Sequence, residues 1–525
     1  MATTGTAVPR QGSDGELRLA ELLGALSLAI DLGFDQPMEH VLRQTVIALR
    51  VAEHLGLPDH ERATVYYSSL LVNVGCHADA HEQAKWFGDD IALRAGKYRH
   101  ELRSARGSLA GLRSLGSGQA PMRRLRLGVE FATGGYREMD AMIDRHALIA
   151  SRFAQRLGLD AVVQEAVRDS YERWDGRGWP GEKGGDAIPL ASRICQICEY
   201  IEVAHRTGGP EQAVDLVSER RGRQFDPELC DLVVATSPAL FADLDEHRSW
   251  DIVIASEPSL HPVLRADRLE ETLAAVADFV DLKSPYTLGH SRAVADLAAR
   301  AAEGLGLSTE EVTLVRRAGL LHDLGRLGVS NAVWDRPVIG SGEWERIRLY
   351  PYLTERILRQ APTLAPLGDA AVQHRERLDG SGYPRGLTAG ALGRPGRTLA
   401  AADAYRTWLE PRPHREAYDR QAAAERLRRE ARCGRLDTAA VEAVLAVDGH
   451  PAARLHSTPA GLSRREIEVL RLIARGMSSR EIAQRLSLSP KTVRNHTEHI
   501  YAKTGAVNRV TASLFAVEHG LLPAE

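Results

Sequence analysis

The chain has 525 residues, 44% of them hydrophobic and 26% charged, with a formal net charge of −3 at pH 7. That length is too great for one compact core and predicts about three or four domains. No apolar run approaches the roughly 18 to 20 residues of a membrane helix, and five cysteines are too few, and odd in number, for a disulfide framework. A cytoplasmic protein with no membrane partner is expected.

In chain order, residues 1–16 (MATTGTAVPRQGSDGE) have neither the basic nor the apolar region of a targeting signal and predict a disordered tail. The chain then repeats itself. At an offset of 250 residues His40 falls on His290, Leu55-Gly56-Leu57 on Leu305-Gly306-Leu307, and Leu70-Leu71 on Leu320-Leu321. Further on, an offset of 204 sets Asp175 on Asp379 and Trp179 on Tyr383. Two copies of one domain are predicted, at 17–255 and 262–450, and the difference between the offsets gives the first copy 46 extra residues in its middle. Apolar residues recur at intervals of three and four in both copies, as in LAAVADFVDL, while alternating strand patterns are nearly absent, so the fold class is all-α.

Within the first copy, CHADAHE offers Cys76, His77, Asp79 and His81 as zinc-type donors, but without helical or strand context a packing role is preferred. The stretch Arg94 to Arg126 holds nine Lys and Arg against one Glu. It reads as a solvated loop, with a contact to nucleotide or DNA phosphate as the alternative. Cys195 and Cys198 form a C-x-x-C in a helical pattern with no second cysteine pair, which favours buried thiols over a zinc site.

In the second copy the polar exceptions on apolar helices are His290, His322, Asp323, His374 and Asp403. Imidazole and carboxylate are the natural ligands for a divalent metal that binds phosphate and activates water. His322 and Asp323 are neighbours, and neighbours on one helix point about 100° apart, so one ion takes both only where the helix faces a cavity.

These residues resemble the H…HD…D signature of the HD metal-dependent phosphohydrolases, and RERLDGSGYPRGL resembles the second motif of the HD-GYP branch, which hydrolyses cyclic di-GMP. The resemblance covers most of 262–450. It implies a helical bundle in each copy and a divalent metal cofactor (Mn, Fe or Mg) held by His290, His322, Asp323 and Asp403, with His374 beside them and Asp323 as the candidate catalytic residue. It further implies a nucleotide pocket shaped by Asp379, Gly382, Tyr383 and Pro384. Several positions depart from the pattern. Tyr350 stands where the family has a ligand histidine, His374-Arg375 where it has two histidines, Arg326 in place of the lysine after the HD pair, and Arg406 in place of the second acid of a D-x-x-D helix. Arginine is not a metal ligand and repels a cation, so a single-ion site is expected, with Arg326 and Arg375 suited to phosphate oxygens. In the first copy Val72 and Asn73 replace the HD pair, Ser170 and Tyr171 replace His374-Arg375, and Glu199 replaces Asp403, leaving His40 and His146. That copy is expected to be catalytically silent and to pack against its twin.

Pro, Gly and Ser cluster around 455–463, marking a linker at 451–460, and residues 461–525 carry ten Lys and Arg against six Glu. A basic terminal module on an acidic body predicts a polyanion partner for that end. Four short helices are punctuated by Ser463 with Glu466 as a capping box, Gly476, Ser479, and Ser489-Pro490. On the third, Val493, Thr497 and Ile500 share an inward face, while Lys491, Arg494, Asn495 and Glu498 point outward. Arg and Asn read guanine and adenine edges; Lys491 and Thr492, at the helix start, suit phosphate. The segment resembles the LuxR-type (GerE) helix-turn-helix through LSRREIEVL, IAQRLSLSPKTVRNH and NRVTA. That likeness implies a transcription regulator binding double-stranded DNA as a homodimer, with Arg480 and Lys503 among its DNA contacts and a fourth helix, near 508–520, in pairing. The whole predicts a regulator in which HD-GYP-like domains sense a cyclic dinucleotide or other nucleotide; the alternative is a phosphohydrolase fused to a DNA reader.

Overall fold

The computed structural model describes residues 17–99, 101, 105–117, 119–246, 248–258, 263–336, 338–451 and 459–521. The tail 1–16 and most of the linker lie outside the described residues. The chain divides into two compact units, residues 1–448 and 449–525, close to the boundary expected at 450. Both are helical. None of the described helices is long and apolar enough to cross a membrane.

In the first unit the two copies share one core. The helix Leu19–Leu32 is buried on nearly every side, as a helix apolar all round must be, and it packs against the turn Leu324–Gly328 of the other copy. A Cβ on Gly328 would come within 3.0 Å of Leu32 Cβ, so the close approach requires glycine there. The equivalent helix of the second copy, Ala266–Asp281, reciprocates: Phe279 packs 5.4 Å from Phe153 and 6.0 Å from His77 of the first copy. Each first helix is preceded by a two-residue strand, and these pair antiparallel with Leu17 opposite Leu264. The leading segments thus pack on both copies, and the expected packing of the first copy against its twin is a shared interior.

One buried carboxylate ties the copies together. Asp90, from the basic insert of the first copy, accepts the Ser330 hydroxyl at 2.7 Å and the Asn331 N–H at 2.8 Å in the second. Its other oxygen meets Arg94 at 2.5 Å and Lys283 at 3.4 Å. Burial pushes the Asp90 carboxyl up, but Lys283 and Arg94 overcome it and hold it down at about 2. The insert is therefore not the solvated loop expected from its charge. It forms helices Asp90–Ala95, Ala105–Ser114 and Pro121–Glu130, and Arg94 and Lys97 are buried. Arg99, Arg113, Arg123, Arg124 and Arg126 face water.

A second carboxylate recurs in each copy at the same place. Asp31 accepts the Val41 N–H at 3.2 Å, and Asp281 accepts the Ser291 N–H at 2.9 Å, each joining the first helix to the start of the next. Burial raises the Asp31 carboxyl to about 7 against the opposing pull of His40 and the Val41 N–H. The folded chain therefore binds a proton that the unfolded chain, with an ordinary carboxyl near 4, has released by pH 7. Asp31 thus lowers stability progressively as pH rises from about 4 to about 7. We expect Asp31→Asn, which keeps an acceptor for Val41, to be near neutral at pH 4 and to gain stability over the parent up to pH 7, then hold that gain; urea denaturation across this range measures the difference.

Candidate metal centre and nucleic-acid interface

The helix Thr309–Leu321 ends where the ligands begin. His322 keeps helical backbone angles, Asp323 leaves them (φ −97°, ψ 7°), and a tight turn Leu324–Gly328 follows. The 100° divergence expected of neighbours on one helix is thereby removed. Thr354 repairs the break: its Oγ1 donates to the His322 carbonyl (3.1 Å) and accepts the Gly325 N–H (2.9 Å). A Cβ on Gly325 would sit 2.2 Å from the Tyr350 carbonyl, so glycine lets the turn lie against that helix.

His290 opens the helix His290–Gly304, and Asp403 lies within Arg394–Leu409. All four side chains are buried. His290 Nε2 stands 3.4 Å from Asp403 Oδ1, His322 Nε2 is 3.8 Å from the same oxygen, and His322 Nε2 is 3.6 Å from Asp323 Oδ1. Ligand atoms of His290, His322 and Asp323 all lie within 4.8 Å of one another. These spacings exceed good hydrogen bonds. They match the roughly 3 to 4 Å between atoms that each bind one ion at about 2.1 Å. His290 Nε2, His322 Nε2 and Asp323 Oδ1 are buried without a hydrogen bond, a costly state unless a cation completes them.

The other ring nitrogens are engaged as metal-binding imidazoles require. His322 Nδ1 lies 2.7 Å from the Gly319 carbonyl, so it must carry the proton and leave Nε2 with a lone pair. Burial holds His322 below its usual range. His290 Nδ1 bonds Glu410 Oε2 at 2.8 Å. Glu410 was missed in the sequence, although it lies seven residues after Asp403, two helical turns on, close to the same face.

The fifth expected ligand, His374, sits in this group, its Nε2 3.9 Å from Asp323 Oδ1, but that nitrogen also has a protein partner. Its Nδ1 donates to Ala371 (2.6 Å), and its Nε2 accepts the Tyr350 hydroxyl (2.7 Å), which in turn accepts from Arg375 Nε (2.8 Å). The lone pair a metal would need is committed to Tyr350. Burial, reinforced by His322 and Arg375, drives His374 down to about 3, so it stays neutral. Arg375 reaches Asp403 at 3.1 Å, and Arg326 reaches Asp323 at 3.1 Å while lying 4.2 Å over the Trp334 ring. Both arginines expected at phosphate are thus bound to the carboxylates of the ion site. The arrangement has room for one cation and sets guanidinium groups where further ions would sit.

The motif turn is built by backbone constraints. Asp379 accepts the Ser381 N–H at 3.0 Å, Tyr383 N–H donates to Arg375 (3.1 Å), and Glu376 accepts Arg385 and Leu387 N–H at 2.8 and 2.9 Å. A Cβ on Gly382 would collide with Arg377 N at 2.3 Å. Tyr383-Pro384 is cis, as is Trp179-Pro180 in the first copy, where Glu172 accepts three backbone N–H groups in the same way. The turn therefore persists even where the ion site does not.

In the first copy an ammonium takes the ion's place. Lys97 Nζ lies 2.5 Å from Glu199 Oε1 and 2.8 Å from Asn73 Oδ1, the positions equivalent to Asp403 and Asp323. Tyr98 adds a bond to Glu199 at 2.9 Å and approaches His40 Nε2 at 3.2 Å. The zinc-type donors of CHADAHE do not form one cluster: Cys76 meets Tyr171 (2.6 Å) and shares His146 with Asp79 (3.0 Å), His81 meets Asp335 (2.7 Å), and His77 packs between Phe34 and Phe279. Cys195 and Cys198 are buried, as expected, and burial raises both thiols.

The second unit has its own small core of Leu462, Val469, Leu470, Ile482, Val493, Ile500 and Ala512 among others. Ser463 and Glu466 form the expected capping box, and the second helix begins at Ser479 as expected, with Ser478 as its cap and Glu481 completing a second box. Ser489 accepts the Thr492 N–H at 3.0 Å to start Pro490–Thr504. Val493 and Ile500 face inward, and Arg480, Lys491, Arg494, Asn495 and Glu498 are exposed. Lys503 is instead held by Glu466 at 2.8 Å, which braces the third helix against the first.

A helical body with a His2Asp2 ion site joined to a helix-turn-helix reader defines the class. The family model described as "HD domain" matches residues 112–229 and 274–440, and that described as "Bacterial regulatory proteins, luxR family" matches 460–516. The chain is 30% identical over 404 residues to 3'3'-cGAMP-specific phosphodiesterase 3 of Vibrio cholerae, covering 76% of this chain and 88% of that relative. It is 33% identical over 183 residues to the cyclic di-GMP phosphodiesterase response regulator RpfG of Xanthomonas campestris, covering 34% and 48%. A crystal structure of a cyclic GMP-AMP specific phosphodiesterase of V. cholerae, V-cGAP3, aligns with a TM-score of 0.58 at 25% identity, over 83% of this chain and 99% of that one. The chain belongs to the HD-domain family, with tandem HD-GYP-like domains and a LuxR-family reader.

Removing Lys97 should expose Glu199 as an uncompensated buried charge. We expect Lys97→Met to cost about 3 to 5 kcal/mol and Lys97→Met with Glu199→Gln to recover much of that loss, read by calorimetric melting of the full chain.

Proposed function

We propose that this protein is a transcription regulator whose second HD-type domain binds one divalent ion and, on it, a cyclic dinucleotide, and that occupancy alters how paired LuxR-type readers engage DNA. The observation that carries this reading is the convergence of His290, His322, Asp323 and Asp403 on one cation-sized gap, with Arg326 and Arg375 beside it. A bound ion would supply positive charge for a phosphate oxygen and would activate water. The residues of the chain itself hold and orient: Glu410 and the Gly319 carbonyl fix the two imidazoles, and the Tyr350–Arg375 pair lies beside the bound phosphate. Tyr383 packs against Tyr350, Val333 and Val329, so the motif turn forms one wall.

Recognition is favoured over turnover because arginines, His374 and Tyr350 fill the space of further ions. The second reading, hydrolysis, is favoured by the intact four-ligand set and by relatives described as phosphodiesterases. Self-association of the reader is supported by its last helix, Arg509–Glu518, on which Val510, Leu514 and Val517 form an exposed apolar stripe next to Val507.

Protein loaded with Mn2+ is expected to bind 3'3'-cGAMP or cyclic di-GMP and to return it intact on chromatography, and His322→Ala should abolish both metal and nucleotide binding. Turnover to linear product that disappears in His322→Ala would establish the hydrolase instead. For the reader, Arg494→Ala should cost about 1 to 3 kcal/mol and relax choice at one base position. Lys491→Ala should weaken all sequences alike and lower the salt slope by about one. Fluorescence anisotropy on a set of duplexes separates the two patterns.

A further inference from the structure

The silent copy carries a cleft that the ion site does not use. It has a volume of about 580 Å³, within the range of small-molecule sites. One wall is the helix Leu190–Arg220, which kinks at Gly208 and Gly209, where Gly209 has φ of 80°. The facing wall is the insert segment Ala95 to Arg99.

Its charges are unevenly solvated. Arg220 lines the cleft at only 5% exposure, lies 5.0 Å over the Tyr200 ring, and donates to Gln224 at 2.9 Å, yet no carboxylate pairs with it among the described residues. The carbonyls at its helix end supply roughly half a negative charge, which leaves the guanidinium short of a counter-ion in a poorly solvated place. Arg99 is exposed on the same lining and forms no ion pair among the described residues. Arg206, by contrast, is answered by Glu202 at 3.2 Å. The acids of the lining, Asp35, Asp215 and Glu219, are all exposed, where water screens them. The buried, unpaired charge of the cleft is therefore the cation Arg220, with tyrosine rings at its wall.

We propose that this cleft binds a nucleotide, with its phosphate on Arg220 and Arg99, the bidentate donors that suit phosphate oxygens. It is a site separate from the second copy's ion centre and does not rest on the reading of that centre. Its occupant touches Ala95 and Tyr98, on the same short segment as Asp90 and Lys97. That segment reaches Ser330 and Asn331 of the other copy, so the cleft is placed to act as an effector site.

The test uses the full chain carrying His322→Ala, which removes the second copy's site. Isothermal titration with GMP, 3'3'-cGAMP and inorganic phosphate as separate probes should give one equivalent of a nucleotide bound, with affinity at least tenfold weaker in added Arg220→Gln and several-fold weaker in added Arg99→Ala. Phosphate alone should compete weakly. Absence of nucleotide binding in the His322→Ala chain, or binding indifferent to both arginine changes, overturns the proposal. Arg99 is exposed, so its variant decides the matter even if Arg220→Gln fails to fold.

Discussion

The organising constraint of this molecule is the neutralisation of carboxylates buried at the centre of helical bundles. A carboxylate out of water needs a cation in contact, and the two copies meet the requirement differently. In the second, Arg326 and Arg375 pair with Asp323 and Asp403, and beside them Nε2 of His290 and of His322 is buried without a hydrogen bond. In the first, Asn73 has removed one charge and Lys97 supplies the other from the insert. A tethered ammonium stands between these two positions in that copy, while the surrounding bundle and the motif turn are kept.

The leading segments of both copies join the two bundles into one interior. Leu32 lies on the turn that follows the HD pair, and Phe279 lies on the corresponding region of the first copy. Asp90 adds an ionic tie from the insert to Ser330 and Asn331. The geometry of the ion site is therefore set in part by residues of the other copy. Arg326 and Arg375 close the same group from the side of the second copy's own helices, each on one of its carboxylates.

Much of this was legible in the sequence. Helical period, the repeat offsets and the capping residues of the reader fixed the fold class and the four short helices, because those signals are local and rest on backbone hydrogen bonding. The second helix starts at Ser479 as read, and Ser478 with Glu481 three residues on forms the box that caps it. The five expected ligands lie together, and His374 differs from the rest in that the Tyr350 hydroxyl occupies its free nitrogen across an interhelical contact.

The amino-acid order by itself determined which side chains were available: the H…HD…D set, the arginines that replace other ligands, and the basic reader. Only the tertiary structure decided what neutralises them. Glu410 behind His290, Lys97 in the ion's place and Asp90 between the copies are all long-range pairings. Each depends on which buried charge meets which counter-charge once the helices pack, and that is a property of burial and distance that no local pattern encodes.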